Sequence, residues 1–259
     1  MLGRSAARRS AATPALLASL APRLARNLTQ SHPQHTDRVH SATVAVVGVG
    51  ALGCAVAEAL AAAGVGRLVL FDADVVELSN LHRQLLHRTA DLGRAKVDSA
   101  AAKLVARHPA TSVEAHRERL TAVNVDMALA GVECIVDATD GFEAKFLLND
   151  AAIRLQIPLV HAGVVRFLGQ VMTIIPGESA CYRCLFGAPP APGDVPSCQE
   201  AGVLGSLAGT IGLLQAAEVI RYLSGSGALL TNRLLTYDAL AGRWRHVRLR
   251  RNPACPACA

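Results

Sequence analysis

The chain has 259 residues, of which 51% are hydrophobic and 18% are charged. This length and composition exclude an intrinsically disordered chain and are typical of one large α/β domain with a substantial core. The net charge of +6 would suit a nucleic-acid-binding protein, but aromatic residues make up only 3% and provide no stacking platform, so we expect no nucleic acid among the partners.

The N-terminal segment is basic and contains few acids. No Asp or Glu occurs before Asp37, whereas five arginines precede it: Arg4, Arg8, Arg9, Arg23 and Arg26. We predict that residues 1–40 are a partly flexible basic segment and that residues 41–259 are one domain. A cleaved targeting peptide, which is also rich in Arg and free of acids, is the alternative. No stretch reaches the ~20 apolar residues that a membrane span requires, so we expect no membrane segment.

Residues from Thr43 onward predict a strand, a tight turn, a helix and a second strand. Thr43–Val47 is a β-branched apolar run, an alanine-rich helical stretch then extends to Gly64, and Arg67–Phe71 is again apolar. Asp72 follows the second strand directly. This order predicts a βαβ unit with a ligand site at the carboxyl ends of its strands.

The following segments continue the alternation of helices and strands. It predicts a Rossmann-like α/β fold with a doubly wound, mostly parallel sheet that later strands extend. The predicted middle elements are a helix from about Ala95 to Arg107, strands Ser112–His116 and Cys134–Asp137, a helix Phe142–Leu155 and a strand Leu159–Ala162. The predicted later elements are strands Phe167–Ile175, Leu229–Tyr237 and Trp244–Leu249, with a buried helix over Val203–Ala217.

The turn between the first strand and helix reads Gly48-Val49-Gly50-Ala51-Leu52-Gly53. In such a turn the first glycine permits the sharp bend, the second lets the backbone approach a phosphate, and the third lets the helix pack on the strand. The helix N-terminus offers free N–H groups to an anion, and Asp72 would accept hydrogen bonds from ribose hydroxyls. Taken alone, this pattern indicates a nicotinamide-dependent oxidoreductase.

Charged residues after the turn favour adenylyl transfer instead. In that reaction an ionised carboxylate attacks the α-phosphorus of ATP, so the protein must mainly position groups and neutralise charge. We expect Arg83 and Lys96 to grip the phosphates, Asn80 to make a polar contact and Asp140 to hold Mg²⁺. Each of these side chains taken singly is also compatible with a solvated surface position.

Four of the seven cysteines form two CxxC pairs: Cys181 and Cys184, and Cys255 and Cys258. Four thiolates suit a tetrahedral Zn²⁺ ion, and because no position is left for water we expect a structural site. A redox CxxC is the alternative. Paired cysteines without a convincing export signal indicate a reducing compartment, and we expect the cytoplasm. We also expect Cys54 and Cys134 to be small core residues, and His161 to lie in the core or line the site.

Together these motifs resemble the E1-like (ubiquitin-activating) superfamily, in particular its molybdopterin-synthase and thiamine-biosynthesis adenylyltransferases of the MoeB/ThiF/HesA type. The matching stretches, besides the CxxC pairs, are VAVVGVGALG, LVLFDADVVELSNLHRQLLH, GRAKVDSA, DATDG and CQEAGVLGSLAGTIGLLQAAEVI. The resemblance implies a homodimer that uses ATP and Mg²⁺ to adenylate the C-terminal glycine carboxylate, within a Gly-Gly tail, of a ubiquitin-like sulfur carrier protein. Activation of another ubiquitin-like protein or peptide, and a non-catalytic scaffold, are the alternatives.

The resemblance also implies roles for individual residues. Ala51 stands where the family usually has a glycine, which is tolerated if its φ is negative, and Gly141 replaces a common Asn. The residues implied to contact ATP are Gly48, Gly50, Ala51, Gly53, Asp72, Asn80, Arg83, Lys96, Asp140 and Gly141, with Mg²⁺ at Asp140.

Two further implied roles concern the N-terminal segment and a late cysteine. Relatives carry an Arg-Tyr-x-Arg-Gln segment whose last Arg reaches the partner's ATP, and here the nearest match places Arg26 in that role, with a loose basic tail as the alternative. Cys198 follows a Pro/Gly-rich loop, and in some relatives a cysteine here links covalently to the carrier whereas in others it is dispensable. No sulfurtransferase domain follows Cys258, so we expect a separate sulfur donor.

Overall fold

A computed structural model describes residues 33–191 and 201–259 of the chain. The strands of the described residues are β1 (Thr43–Val47), β2 (Arg67–Phe71), β3 (Ser112–His116), β4 (Cys134–Asp137), β5 (Leu159–Val165), β6 (Leu168–Ile174), β7 (Arg233–Asp238) and β8 (Arg243–Arg248). The α-helices of this part are α1 (Pro33–Ser41), α2 (Ala51–Ala62), α3 (Lys96–Arg107), α4 (Val125–Ala128), α5 (Phe142–Leu155), α6 (Tyr182–Phe186) and α7 (Gly205–Ser224). Leu78–Asn80 and Thr89–Asp91 form short 3₁₀ turns.

These strands form one sheet in the order β3-β2-β1-β4-β5-β6-β7-β8. Strands β1 to β5 pair in parallel, and β5 to β8 pair antiparallel. The strand order reverses on either side of β1, so the carboxyl ends of β1 and β4 flank the switch point at which ligands bind in open α/β sheets. The predicted doubly wound, mostly parallel sheet with later strands that extend it is therefore confirmed, and the structure shows that these later strands pair antiparallel.

Helices cover both faces of the sheet because alternate residues of each strand point to opposite sides. In β1, Val44 and Val46 pack with α2, α3 and α7, whereas Ala45 and Val47 pack with α5 and the CxxC pairs. The same alternation holds in β2 and β4, whose residues are buried on both faces. Cys54 and Cys134 lie in this core, as predicted, and burial raises the pKa of each thiol to about 12.

Helix α7 differs most from its prediction, since it begins at Gly205 and continues to Ser224. Its glycines allow close approach: a Cβ on Gly212 would lie 2.6 Å from the Leu52 carbonyl oxygen, and one on Gly205 would lie 2.8 Å from that of His82. The helix therefore packs directly on α2 and begins against the segment before Arg83. No helix in the described ranges has the length and apolar character needed to cross a bilayer.

Candidate nucleotide site and cysteine centre

The glycine turn closes the carboxyl end of β1 and starts α2. Gly48 has a φ of +93°, and a Cβ there would lie 2.7 Å from the carbonyl oxygen of Ala138 after β4. A Cβ on Gly53 would lie 1.9 Å from the Gly48 carbonyl oxygen. Gly50 caps α2, and Ala51 is its first residue, with an ordinary helical backbone and without a positive φ. The alanine substitution is therefore tolerated, and the turn presents the free N–H groups of α2 at the switch point.

Asp72 braces this turn from the end of β2. One carboxylate oxygen accepts the Val49 N–H at 2.7 Å, and the other accepts the Asp74 N–H at 2.9 Å. Burial raises the pKa of Asp72, while the positive charge of Lys96 opposes the shift. Lys96 itself is only 6% exposed, and its ammonium contacts the Asp74 carboxylate at 2.8 Å. The structure thus brings a buried cation to the acidic end of β2.

Asn80, Arg83 and Gln84 follow on one irregular segment. Asn80 is buried and accepts a hydrogen bond from the Gln84 amide at 2.6 Å. The Arg83 guanidinium donates to the Ser79 carbonyl at 3.0 Å and is only partly exposed. Gln84 is 3% exposed, its Nε2 lies 3.6 Å from where a Cβ on Gly50 would stand, and its Oε1 has no partner among the described residues. Sequence reasoning placed Asn80 and Arg83 in the site but missed Gln84, although it lies in the same motif.

A buried ionic cluster supports the loop after β4. The Lys145 ammonium lies 3.3 Å from the Asp137 carboxylate and donates to the carbonyl oxygens of Thr139 at 2.7 Å and Ala162 at 2.8 Å. His161 Nδ1 donates to Asp137 at 2.7 Å and Thr139 donates its hydroxyl to the same carboxylate. Burial alone would raise the pKa of Asp137, but Lys145 and these hydrogen bonds outweigh it and hold the pKa far below the usual range.

Asp140, which ends this loop, is exposed and makes no hydrogen bond or ion pair with the part of the chain that the structure describes. Gly141 caps α5 with a φ of −95°, and a Cβ there would meet no atom within 4 Å, so sterics do not explain the absence of an Asn. The sequence did not single out Lys145 or Asp137, because their importance depends on a contact between different elements.

The four cysteines of the CxxC pairs meet at the other end of the fold. Their sulfur atoms lie within 4.8 Å of one another, with separations of 3.6 Å for Cys181–Cys255 and 3.4 Å for Cys184–Cys258. A disulfide would require about 2.05 Å, whereas thiolates about 2.3 Å from a tetrahedral Zn²⁺ lie about 3.8 Å apart. Burial raises the pKa of Cys181 and Cys258, whereas backbone N–H groups lower the pKa of Cys255 to about 7. The arrangement therefore fits a tetrahedral zinc site.

The cysteine centre is tied firmly to α5. Asn149 accepts the Tyr182 N–H at 2.8 Å, and both oxygens of Asp150 accept from Arg183 at 2.7 Å. Because Tyr182 and Arg183 lie between the first two cysteines, these bonds orient that knuckle on the sheet. The second knuckle brings the C-terminal residues to the same place.

Comparison with known proteins decides the family. Residues 24–257 match the ThiF family. The chain belongs to the ThiF family. Within it, the chain is 46% identical over 236 residues to the sulfur carrier protein adenylyltransferase of Thermus thermophilus, covering 89% of this chain and 87% of that relative. It is also 46% identical to the SAMP-activating enzyme E1 of Haloferax volcanii, with coverage of 87% and 83%.

A longer relative agrees with this assignment, and a solved structure shares the fold. The adenylyltransferase and sulfurtransferase MOCS3 of Bos taurus is 45% identical, and the ThiF-family chain spans 49% of its length. Escherichia coli MccB, solved with ATP, has a TM-score of 0.81 at 23% identity, with coverage of 91% of this chain and 74% of that chain. This likeness shows a shared fold. The predicted family, fold class and adenylyltransferase class are confirmed, while Arg26 and Cys198 lie outside the described residues.

Proposed function

We propose that this ThiF-family chain is an ATP-dependent adenylyltransferase that activates the C-terminal glycine carboxylate of a ubiquitin-like sulfur carrier protein. The observation that carries the proposal is the convergence of the glycine turn, Lys96 and the Arg83 segment at the switch point, beside the exposed Asp140. Two relatives at 46% identity, a sulfur carrier protein adenylyltransferase and a SAMP-activating enzyme E1, support it. The alternative substrate is another ubiquitin-like protein or peptide in a modification pathway, and the relative named as a SAMP-activating enzyme E1 motivates it.

The proposed reaction needs charge neutralisation more than proton transfer. A carrier carboxylate oxygen attacks the α-phosphorus of ATP, the bond from that phosphorus to the α,β-bridging oxygen breaks, and pyrophosphate leaves as the acyl-adenylate forms. A C-terminal carboxyl group with a pKa of about 3.5 is ionised at neutral pH, so no residue has to remove a proton. The protein must hold two anions together in line.

The residues around the turn supply this positioning. The N-terminus of α2 receives phosphate oxygens, and Arg83 and Lys96 neutralise their charge. The Lys96 ammonium forms an ion pair with Asp74 at 2.8 Å, and the triphosphate competes for it. Each carboxylate oxygen of Asp72 accepts one backbone N–H, and its remaining lone pair can accept a hydrogen bond from a ribose hydroxyl. Asn80, fixed by Gln84, completes the polar wall.

Two metals fit the side chains that are present. Asp140 would hold Mg²⁺, whose charge would reduce repulsion between the triphosphate and the incoming carboxylate. Cys181, Cys184, Cys255 and Cys258 would hold a structural Zn²⁺, because four sulfur ligands leave no position for water. Thiolate ligands persist in a reducing compartment, so we place the enzyme in the cytoplasm.

Arg26 and Cys198 are proposed from the family resemblance alone. In a homodimer, Arg26 would reach the partner's ATP, and Arg26→Ala should then lower ATP–pyrophosphate exchange at unchanged Tm. Unchanged exchange removes Arg26 from the site.

For Cys198, a link to the carrier that survives denaturation but is cleaved by thiol would support covalent capture, and full activity of Cys198→Ala would exclude it. A separate donor would then supply sulfur.

The decisive experiment incubates the purified protein with Mg-ATP and candidate carriers that end in Gly-Gly. Mass spectrometry should detect an acyl-adenylate on the matching carrier, and the same carrier without its terminal glycine should remain unmodified. Asp140→Ala provides the enzyme control, because it removes the proposed Mg²⁺ ligand without touching the buried cluster. Binding of a nicotinamide dinucleotide without pyrophosphate exchange would instead support the oxidoreductase alternative and overturn the proposal.

A further inference from the structure

A buried histidine outside the predicted site contacts the glycine turn from the side opposite Asp72. His87 is 4% exposed, and its Nε2 lies 3.1 Å from the Val49 carbonyl oxygen. The Val49 N–H donates to the Asp72 carboxylate at 2.7 Å. Both polar groups of Val49, between the first two glycines of the turn, are therefore held by side chains from other elements.

The contacts of His87 define which ring nitrogen carries the proton. A carbonyl oxygen accepts only, so Nε2 must donate to Val49. Nδ1 lies 2.9 Å from the Ser99 hydroxyl on α3 and, in the neutral ring, accepts its proton. The Ser99 oxygen in turn accepts from the Lys103 ammonium at 2.8 Å. With the neutral ring these hydrogen bonds form one chain from α3 to the turn.

The charges that face the ring also favour its neutral form. Lys103 and Lys96 on α3 are nearby cations, and Asp91, which pairs with Lys103, is the nearby anion. The Cys54 thiol, which also contacts the Val49 carbonyl, has a raised pKa and stays neutral. Burial, followed by the two lysines, lowers the pKa of His87.

We propose that His87 is a positioning residue that fixes the Val49 peptide of the glycine turn to α3 and thereby sets the turn relative to Lys96. Ser99 lies one helical turn after Lys96, and His87 follows the segment that carries Arg83. One ring thus joins the three pieces of the phosphate-binding wall. A wall misplaced by about 1 Å costs on the order of 100-fold in rate, so a buried brace has a large effect without touching ATP.

Two substitutions separate the two ring contacts. In His87→Gln, the amide nitrogen reaches the place of Nε2 and can still donate to the Val49 carbonyl. In His87→Asn, the shorter amide reaches only the place of Nδ1, so the Ser99 contact survives and the Val49 contact is lost. Both replacements are neutral at all pH values, and neither adds a charge to the core.

The kinetic test rests on the proposed function and measures ATP–pyrophosphate exchange with a Gly-Gly carrier. We expect His87→Asn to lower kcat/KM for ATP by about 10- to 100-fold and His87→Gln by no more than about threefold. Equal losses in both variants would overturn the brace.

A second readout does not depend on activity. In hydrogen–deuterium exchange of the full chain, peptides covering residues 44–54 should exchange faster in His87→Asn than in wild type, and His87→Gln should protect them. If His87→Asn does not fold, Ser99→Ala replaces it, since loss of the hydroxyl removes the link between the ring and α3 and should also speed deuterium exchange of these peptides. Unchanged protection of these peptides in the variant would refute the inference. If protection changes but the wild-type protein shows no ATP–pyrophosphate exchange, only the proposed function is refuted.

Discussion

Replacing Lys145 by Met tests the buried cluster that supports the loop carrying Asp140. The substitution keeps the length of the side chain but removes the cation from a fully buried Asp137. It also leaves the carbonyl oxygens of Thr139 and Ala162 without their donor. His161 and Thr139 continue to donate to Asp137, so the carboxylate is not wholly unpartnered.

The expected loss is large because a charge remains buried without its partner. Removing one member of a buried ion pair costs about 3–5 kcal/mol. At roughly 2–4 °C per kcal/mol for a chain of this size, Tm should fall by roughly 10 °C. Arg154→Met, which breaks an exposed pair with Asp126, is the matched control and should change Tm little.

The pH dependence identifies the cause of the loss. In the wild type the depressed pKa of Asp137 means that its contribution to stability is present above the unfolded pKa and is lost only as pH falls through the folded pKa. In Lys145→Met, burial without a cation should raise the folded pKa above the unfolded value. The folded variant then binds a proton more readily than the unfolded chain. The difference between the free energies of unfolding of wild type and variant should therefore shrink as the pH falls from 7.5 to 5.

Urea unfolding of zinc-loaded protein at several pH values provides the assay. Combining Lys145→Met with Asp137→Asn should recover part of the loss, because no buried charge remains. The cluster does not hold the loop if Lys145→Met lowers the free energy of unfolding by less than about 1 kcal/mol at pH 7.5. The same conclusion follows if the loss neither shrinks on acidification nor responds to Asp137→Asn.

Three further predictions concern the turn, the cysteine centre and the phosphate grip. Gly53→Ala should abolish ATP binding in calorimetry, because its Cβ would stand 1.9 Å from a carbonyl oxygen. The control is Gly209→Ala in α7, whose Cβ meets no atom within 4 Å and which should stabilise the fold by about 0.5–1 kcal/mol. Equal effects of the two variants on ATP binding would contradict this account of the packing. Zinc bound at one per chain, measured by atomic absorption, should be lost in Cys184→Ser together with several degrees of Tm, and retention would exclude a four-thiolate site. Arg83→Ala should lower kcat/KM for ATP by about 100-fold at unchanged Tm, and a fall in Tm alone would assign Arg83 a structural role.

The sequence alone predicted the sheet and the glycine turn, because both depend on local pattern. Short apolar runs predicted the bounds of β1, β2 and β4 as the structure has them, and the glycine spacing predicted the turn. The predicted bounds of the later elements were less accurate. The strand predicted to begin at Leu229 begins at Arg233, because the residues before Arg233 do not pair with β6 or β8.

Only the tertiary structure showed which side chains support the site. Lys145 lies in ordinary helical sequence, and His87 ends a stretch that resembles the family, but each acquires its role from a carbonyl or carboxylate that folding brings from a distant element. The CxxC spacing predicted four metal ligands, but their convergence within 4.8 Å depends on the path of the chain between them. Sequence therefore determines local geometry and ligand chemistry, whereas burial and long-range contacts decide which charges are paired and which peptide groups are held.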